Sequence, residues 1–172
     1  LAQDGSTDCD YLKHFFDKVE SEEVAIFRPT TPFRDPKEID RIISIYENNK
    51  DACSSMRTMH EFPESPYKML TMDKNNYCKG LFEDFEGIKE YTNLPRQNFP
   101  KVYHPNGYVD VVRKKVVENN KWKDSYGNKI YGCLTPYVLE IDEQYQFDMA
   151  NSSMRRQDSI LLEYLDDDTY KI

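Results

Sequence analysis

"VAIFRPTTPFRDPKEIDRIISIYENNK", Val24 to Lys50, carries the reading of the fold. Val24–Phe27 is a short, uninterrupted apolar run. Without polar alternation it predicts a strand buried on both faces, as in a parallel sheet. Asp35 is placed to cap a helix, Pro36 suits its first position, and Glu38 completes a capping-box pattern. Ile39, Ile42, Ile43 and Tyr46 then recur at i, i+3, i+4 and i+7, one apolar stripe. Asn48-Asn49-Lys50 closes that helix, and "ACSSMR", Ala52–Arg57, supplies the next strand. Strand, helix, strand at this spacing predicts a right-handed βαβ unit in a parallel sheet. Between the first strand and the helix the chain places two arginines, two prolines and two threonines, Arg28 to Arg34. Strand ends of this kind form the ligand-binding edge of open α/β sheets. Arg28 is the sharper functional residue there, and Arg34 a brace for the turn.

Upstream, "STDCDYLKHFFDKVES" predicts a helix with Leu12, Phe15, Phe16 and Val19 on one side and Thr7 or Asp8 as its cap. Downstream, about 60–104 reads as an excursion from the sheet. "SPYKMLTM" has strand character, and Thr92–Gly107 holds three prolines in sixteen residues, too many for a regular helix. "YVDVV", Tyr108–Val112, and "VLEID", Val138–Asp142, predict two further strands. "EQYQFDMANSSMRR" predicts a helix with Phe147 and Ala150 on one side.

The 172 residues suit one domain with a real core. A net charge of −8 argues against nucleic acid as a partner, because phosphate neutralisation needs clustered cations. Arg113-Lys114-Lys115 and Arg155-Arg156 read as solvated faces. No apolar run reaches the roughly 20 residues of a membrane span, and the first residues carry no signal-peptide pattern. The four cysteines have no metal-ligand spacing and read as reduced thiols of a cytoplasmic protein.

Glycine-rich phosphate loops of the P-loop or dinucleotide type are absent from these 172 residues. Acidic residues say more. In "LEIDE", Glu140 and Asp142 are two apart, so a strand would turn both to one face, roughly 6–7 Å apart. Mg²⁺ is commonly held by one or two carboxylates together with substrate phosphates. Read alone, the pair is also compatible with solvated edge charges. Lys68 and Arg96 are cations among proline-stiffened or apolar neighbours, and Arg suits bidentate contact with a carboxylate. Asn106-Gly107 reads as a turn, with Asn106 able to donate to a ligand.

In chain order, "RPTTPFR", "SPYKM", "PRQNFPKVYHPNG" and "EIDEQYQFDMA" resemble the acylneuraminate cytidylyltransferases, the CMP-sialic acid synthetase family, over roughly Leu1 to Ala150. The resemblance implies an α/β, doubly wound, mostly parallel sheet of the nucleotide-diphospho-sugar transferase type. An arm at about 60–104 would protrude into a second subunit, making a homodimer. It implies transfer of CMP from CTP to a nonulosonic 2-keto acid sugar, with Mg²⁺ as cofactor and pyrophosphate as the second product. Arg28, Thr30, Thr31, Asn106 and Asp110 would bind substrate, Lys68 and Arg96 would serve catalysis from the arm, and Glu140 and Asp142 would hold the metal. Asp148 matches an acidic residue before the family's last helix.

The sequence departs from the family pattern in places. His104 stands for the usual Arg or Gln before Pro105, Glu140 for the first metal Asp, and Asp110 for a Tyr in the strand after Asn-Gly. The last change leaves the sugar open among sialic, legionaminic, pseudaminic and related acids. The family's opening A-R-x-G-S-K nucleotide loop has no counterpart here, so the N-terminal part of the fold is expected to be missing. Two alternatives stay open. One is a related enzyme using another nucleotide or sugar, such as GTP with legionaminic acid or CTP with a 3-deoxy-octulosonic acid. The other is a truncated, non-catalytic relative that binds sugar or dimerises.

Overall fold

The computed structural model describes residues 5–156 and 159–164. They fall into two compact units, one built from the chain up to Met59 and from Pro105 onward, the other from His60–His104.

The larger unit begins with α1, Asp8–Lys18. Asp10 reaches back to the Thr7 backbone N–H and hydroxyl, at 2.7 and 2.9 Å, and closes the first turn. Leu12 and Phe16, with Cys9, bury the predicted stripe against Val112 and Val117. Strand β1, Glu23–Ile26, follows, then helix α2, Pro36–Asn49. The Asp35 carboxylate accepts from Lys37 N at 2.9 Å, as a cap should. Glu38 does not complete a capping box; it forms a forked pair with Arg41. Ile42 and Tyr46 of α2 enter a second core cluster with Met56, Tyr108, Val109, Val111 and Cys133.

Strands β2, Ser55–Glu61, β5, Tyr103–Arg113, and β6, Ile130–Leu134, complete a four-stranded sheet of order β1-β5-β2-β6. It is mixed rather than mostly parallel. β1 pairs antiparallel with β5, Ile26 opposite Asp110, while β2 and β6 are parallel. β1 is therefore not the doubly buried parallel strand its apolar run predicts. It is paired on one side among the described residues, and all four of its residues are half-buried. The burial goes instead to β5, where Asn106–Val112 is buried without a break.

"VLEID" is no strand either. The ladder ends at β6, where Thr135 N still donates to Met59 O at 2.9 Å, and Pro136 stops it by lacking an N–H. Beyond a short helix α3, Lys114–Asn119, comes α4, Gln144–Arg155. Ala150 is buried in it as expected, but Phe147 is half-exposed.

The smaller unit carries a hairpin, β3, Leu70–Met72, and β4, Cys78–Gly80. "SPYKMLTM" is thus a single 3₁₀ turn, Pro66–Lys68, followed by three strand residues. Its core is aromatic. Tyr67 stacks on Phe99 at 5.1 Å and meets Phe85 edge-on at 4.9 Å. Tyr91 is buried, its hydroxyl accepting from Phe82 N and donating to Phe82 O. Gly80 is required beside it, because a Cβ there would stand 2.3 Å from the Tyr91 hydroxyl. No described helix is long and apolar enough to cross a membrane. The four cysteines are free, three of them buried.

Candidate functional site

In the larger unit, the loop after β1 is shaped by one side chain. Arg34 donates to four backbone carbonyls: Tyr108 at 2.6 Å, Arg28 at 2.6 Å, Gly107 at 2.9 Å, and Thr31. Its guanidinium also lies over the Phe27 and Tyr108 rings, and burial lowers its pKa. Five N–H donors in a planar fork make this possible, which Lys could not do. Arg34 is the brace expected from the sequence.

Thr31 is buried beneath the loop and donates to Asn106 O at 3.0 Å. Asn106 is buried too. Its amide donates to Thr135 Oγ1 at 2.8 Å, and its side-chain oxygen accepts from Tyr108 N at 3.2 Å. Thr30 uses its backbone: its carbonyl accepts from Ile141 N at 2.7 Å. That bond brings the Glu140–Asp142 segment to the arginine loop. Strand periodicity no longer argues for the two carboxylates sharing a face, since neither lies on a strand. Their proximity to Thr30 comes with this backbone bond. Asp142 is exposed, and Gln146 of α4 accepts from its N–H at 2.8 Å. Asp148 stays exposed on α4, accepting from Gln144 at 3.1 Å.

Arg28 leaves the loop across Gly107, whose φ of +59° and missing Cβ make room. A Cβ there would sit 2.9 Å from Arg28 Cδ. At its far end the guanidinium makes a two-point ion pair with Asp8 from the first turn of α1. This bond to Asp8, set against partial burial, raises the Arg28 pKa.

The same unit holds a buried polar cluster. Asp110, 0% exposed, accepts from the Tyr126 hydroxyl at 2.9 Å and stands 3.5 Å from Arg57 Nε. Its Oδ1 has no full hydrogen bond, and neither has Arg57 Nε. Burial raises the Asp110 pKa, and Arg57 opposes that rise by charge. The Arg57 guanidinium lies 4.2 Å over the Tyr126 ring. Burial, then the Asp110 charge, raises the Tyr126 pKa, while burial and Asp8 push Tyr11 up to about 12.

The sequence reading missed Asp8, Arg57 and Tyr126. Arg57 and Tyr126 had no legible signal, one inside a predicted strand and the other in a turn. Asp8 was seen as a helix cap rather than as a partner of Arg28.

In the smaller unit, Lys68 is exposed. Its ammonium donates to Thr92 O at 2.6 Å and lies 5.7 Å from the Phe99 ring centre. Arg96, also exposed, lines a cavity of about 330 Å³ with Ser65, Gln97, Phe99 and Lys101. Lys101 is paired with Glu61 at 2.7 Å. The Ser65 hydroxyl is buried without a hydrogen-bond partner. His60 and His104 face each other at 5.6 Å between ring centres, and burial with the neighbouring His104 lowers the His60 pKa.

Glu140 and Asp142 supply the hard oxygen donors that Mg²⁺ takes. Among the described residues no three or more His, Cys, Asp or Glu side chains cluster to hold a metal. Two carboxylates alone would leave a cation to draw its other ligands from phosphate and water.

No family model matches the chain. Over 152 residues, 87% of this chain, it is 25% identical to the N-acylneuraminate cytidylyltransferase of Escherichia coli O18:K1:H7 (strain RS218 / NMEC), and it spans 34% of that protein's length. The resemblance carried by the four motifs is borne out by this relative. A solved CMP:2-keto-3-deoxy-manno-octonic acid synthetase, complexed with CTP, matches 90% of this chain and 70% of its own with a TM-score of 0.59 at 12% identity. A 4-diphosphocytidyl-2C-methyl-D-erythritol synthase from Anaerococcus prevotii DSM 20548 matches 88% of this chain and 68% of its own, with a TM-score of 0.55 at 13% identity. At these identities both bear on the fold alone, and they agree with the α/β class of the nucleotide-diphospho-sugar transferase type.

Proposed function

We propose that the chain is the sugar-side and metal-side part of a cytidylyltransferase that activates an acid sugar of the nonulosonic type with CTP. One observation carries the reading most. The Ile141 N–H to Thr30 carbonyl bond joins the acidic pair to the loop that presents Arg28. A cation for a carboxylate and two carboxylates for a cation-bound triphosphate are what the reaction needs. The relative's activity and the CTP complex of the solved neighbour agree with it.

In this reading the sugar's anomeric hydroxyl attacks the α-phosphate of CTP. A new oxygen–phosphorus bond forms, the bond to the β-phosphate breaks, and pyrophosphate leaves. Such transfers depend on positioning and charge neutralisation more than on covalent help from the protein. Arg28 binds the sugar carboxylate, for which Asp8 stands as an internal substitute in the described pairing. Arg34 and Thr31 hold the loop rather than the ligand. Asn106 shapes the turn beneath it. Asp110, being fully buried, acts on substrate through its neighbours rather than by contact. Lys68 and Arg96 serve the anionic substrates from the His60–His104 unit, which we assign as the arm of a cytoplasmic homodimer. Glu140 and Asp142 would hold Mg²⁺, which when bound neutralises the phosphate charge that builds up on transfer.

Pyrophosphate release tests the reading. The full-length protein is incubated with Mg²⁺, CTP or GTP, and a panel of nonulosonic and 3-deoxy-octulosonic acids. Release with CTP and one acid is the expected outcome. Release with GTP only would overturn the cytidylyl assignment, and no release with either nucleotide would favour a non-catalytic relative.

A further inference from the structure

Both terminal nitrogens of Arg28 are engaged. Nη2 donates to Asp8 Oδ2, and Nη1 donates to Oδ1 at 3.4 Å, so the carboxylate lies end-on across the guanidinium fork. A planar carboxylate takes up such a fork bidentately. The third nitrogen, Nε, is bonded to Cδ, the Arg28 atom nearest to where a Gly107 Cβ would stand. Neither partner needs the pair to keep its local shape. The loop is held by Arg34 through four backbone carbonyls. The first turn of α1 is closed by Asp10, which accepts from Thr7 N and Oγ1. The side chains of Arg28 and Asp8 are 31% and 32% exposed, so water can take over from either partner. Once released, Asp8 still sits in the first turn of a helix, where the backbone dipole favours negative charge. It would not be stranded as a buried charge, the outcome that makes breaking an ion pair costly.

We propose that Asp8 is a built-in competitor for the acid-binding fork of Arg28: its carboxylate fills the fork until the carboxylate of a ligand replaces it. The inference rests on the reading of Arg28 as the carboxylate-binding cation. Every binding event then includes opening the Asp8 pair. The apparent affinity is the intrinsic one reduced by the fraction of molecules in which the fork is open. The exchange also sets a threshold on recognition. A ligand carboxylate replaces Asp8 like for like, whereas a hydroxyl or amide oxygen brings no charge to match the one it displaces.

The test is Asp8→Asn, which keeps the size of the side chain and removes the charge that holds the fork. Calorimetric titration with N-acetylneuraminate is run on wild type, Asp8→Asn, Asp10→Asn and Arg28→Ala. Thermal melts establish that each is folded at the titration temperature, and Asp8→Ala replaces Asp8→Asn if that variant is not. Asp10→Asn is the control, since it removes an equal charge from the same helical turn at a residue bonded to Thr7. The expected result is about fivefold tighter binding in Asp8→Asn, the scale of one partly exposed ion pair, and a change of less than about twofold in Asp10→Asn. Arg28→Ala should bind more weakly than wild type. Binding by Asp8→Asn where wild type shows none also upholds the inference. Affinity in Asp8→Asn equal to wild type or lower overturns it, because the ligand then meets Arg28 with Asp8 still in place. Equal tightening in the two aspartate variants overturns it too, as loss of negative charge alone would give that. In both cases weaker binding by Arg28→Ala leaves the reading of Arg28 standing. If wild type binds and Arg28→Ala binds equally well, or if neither wild type nor Asp8→Asn binds, the reading of Arg28 falls and the inference with it.

Discussion

Ile141 donates its backbone N–H to the carbonyl of Thr30 at 2.7 Å, and by that bond two segments more than a hundred residues apart in sequence become neighbours. One brings Arg28, the other Glu140 and Asp142. The proposed chemistry depends on this meeting of cation and acids.

Asp142→Asn keeps the size of the side chain and removes its charge. If the pair holds Mg²⁺, kcat falls by roughly 10–100-fold and recovers in part at raised Mg²⁺. Steady-state kinetics across a Mg²⁺ series checks this. An unchanged kcat would remove Asp142 from the metal site.

Arg96→Ala removes one of the cations lining the cavity of the His60–His104 unit. Loss of a cation that serves the acid sugar should raise the KM for it by about 30-fold, and that for CTP far less. Equal effects on the two substrates would argue against its role toward the acid.

Gly107→Ala combines a positive φ with a close approach to Arg28 Cδ, Cγ and Cβ, at 2.9, 3.0 and 3.2 Å. The added methyl meets the root of the Arg28 side chain as well as its flexible part. Stability should fall by about 1–2 kcal/mol, measured by urea denaturation, and acid-sugar affinity should fall with it. Retained affinity would show that the path of Arg28 across Gly107 is not needed for binding.

Much of this local structure was legible. The cap at Asp35, the stripe Ile39–Tyr46 and the turn at Arg28–Arg34 follow from local rules that tertiary context did not overrule. The direction of β1 was not legible. An apolar tetrapeptide reads the same in a parallel interior strand and in an antiparallel one paired to a long buried strand, and β5 decides between them from some eighty residues away. "VLEID" failed for a nearer reason, since Pro136 ends the ladder just before it. The cluster of Asp8, Arg57, Asp110 and Tyr126 has no signature at all. Its members come from a helix, two strands and a turn, and only the fold assembles them.

Asp110 makes a pH prediction. Burial raises its pKa in the folded chain above the ordinary 3.8, so the folded state binds its proton more tightly than the unfolded state does. Its contribution to stability is fully present below pH 3.8 and is lost as pH rises through the folded value. Compared with Asp110→Asn, wild type should therefore be relatively most stable at low pH. Its advantage should shrink with rising pH and level off above that folded value. Urea denaturation of both proteins from pH 3 to pH 7 checks the trend; a difference that grows with pH would mean that Arg57 and Tyr126 outweigh burial.

The central claim is that the site recognises an acid through its carboxylate at Arg28. Calorimetric titration of the chain with N-acetylneuraminate and with its methyl ester tests this most directly, because the two differ only in that charge. Binding of the acid with the ester at least tenfold weaker, and loss of that preference in Arg28→Ala, is the predicted result. Equal binding of acid and ester would contradict it.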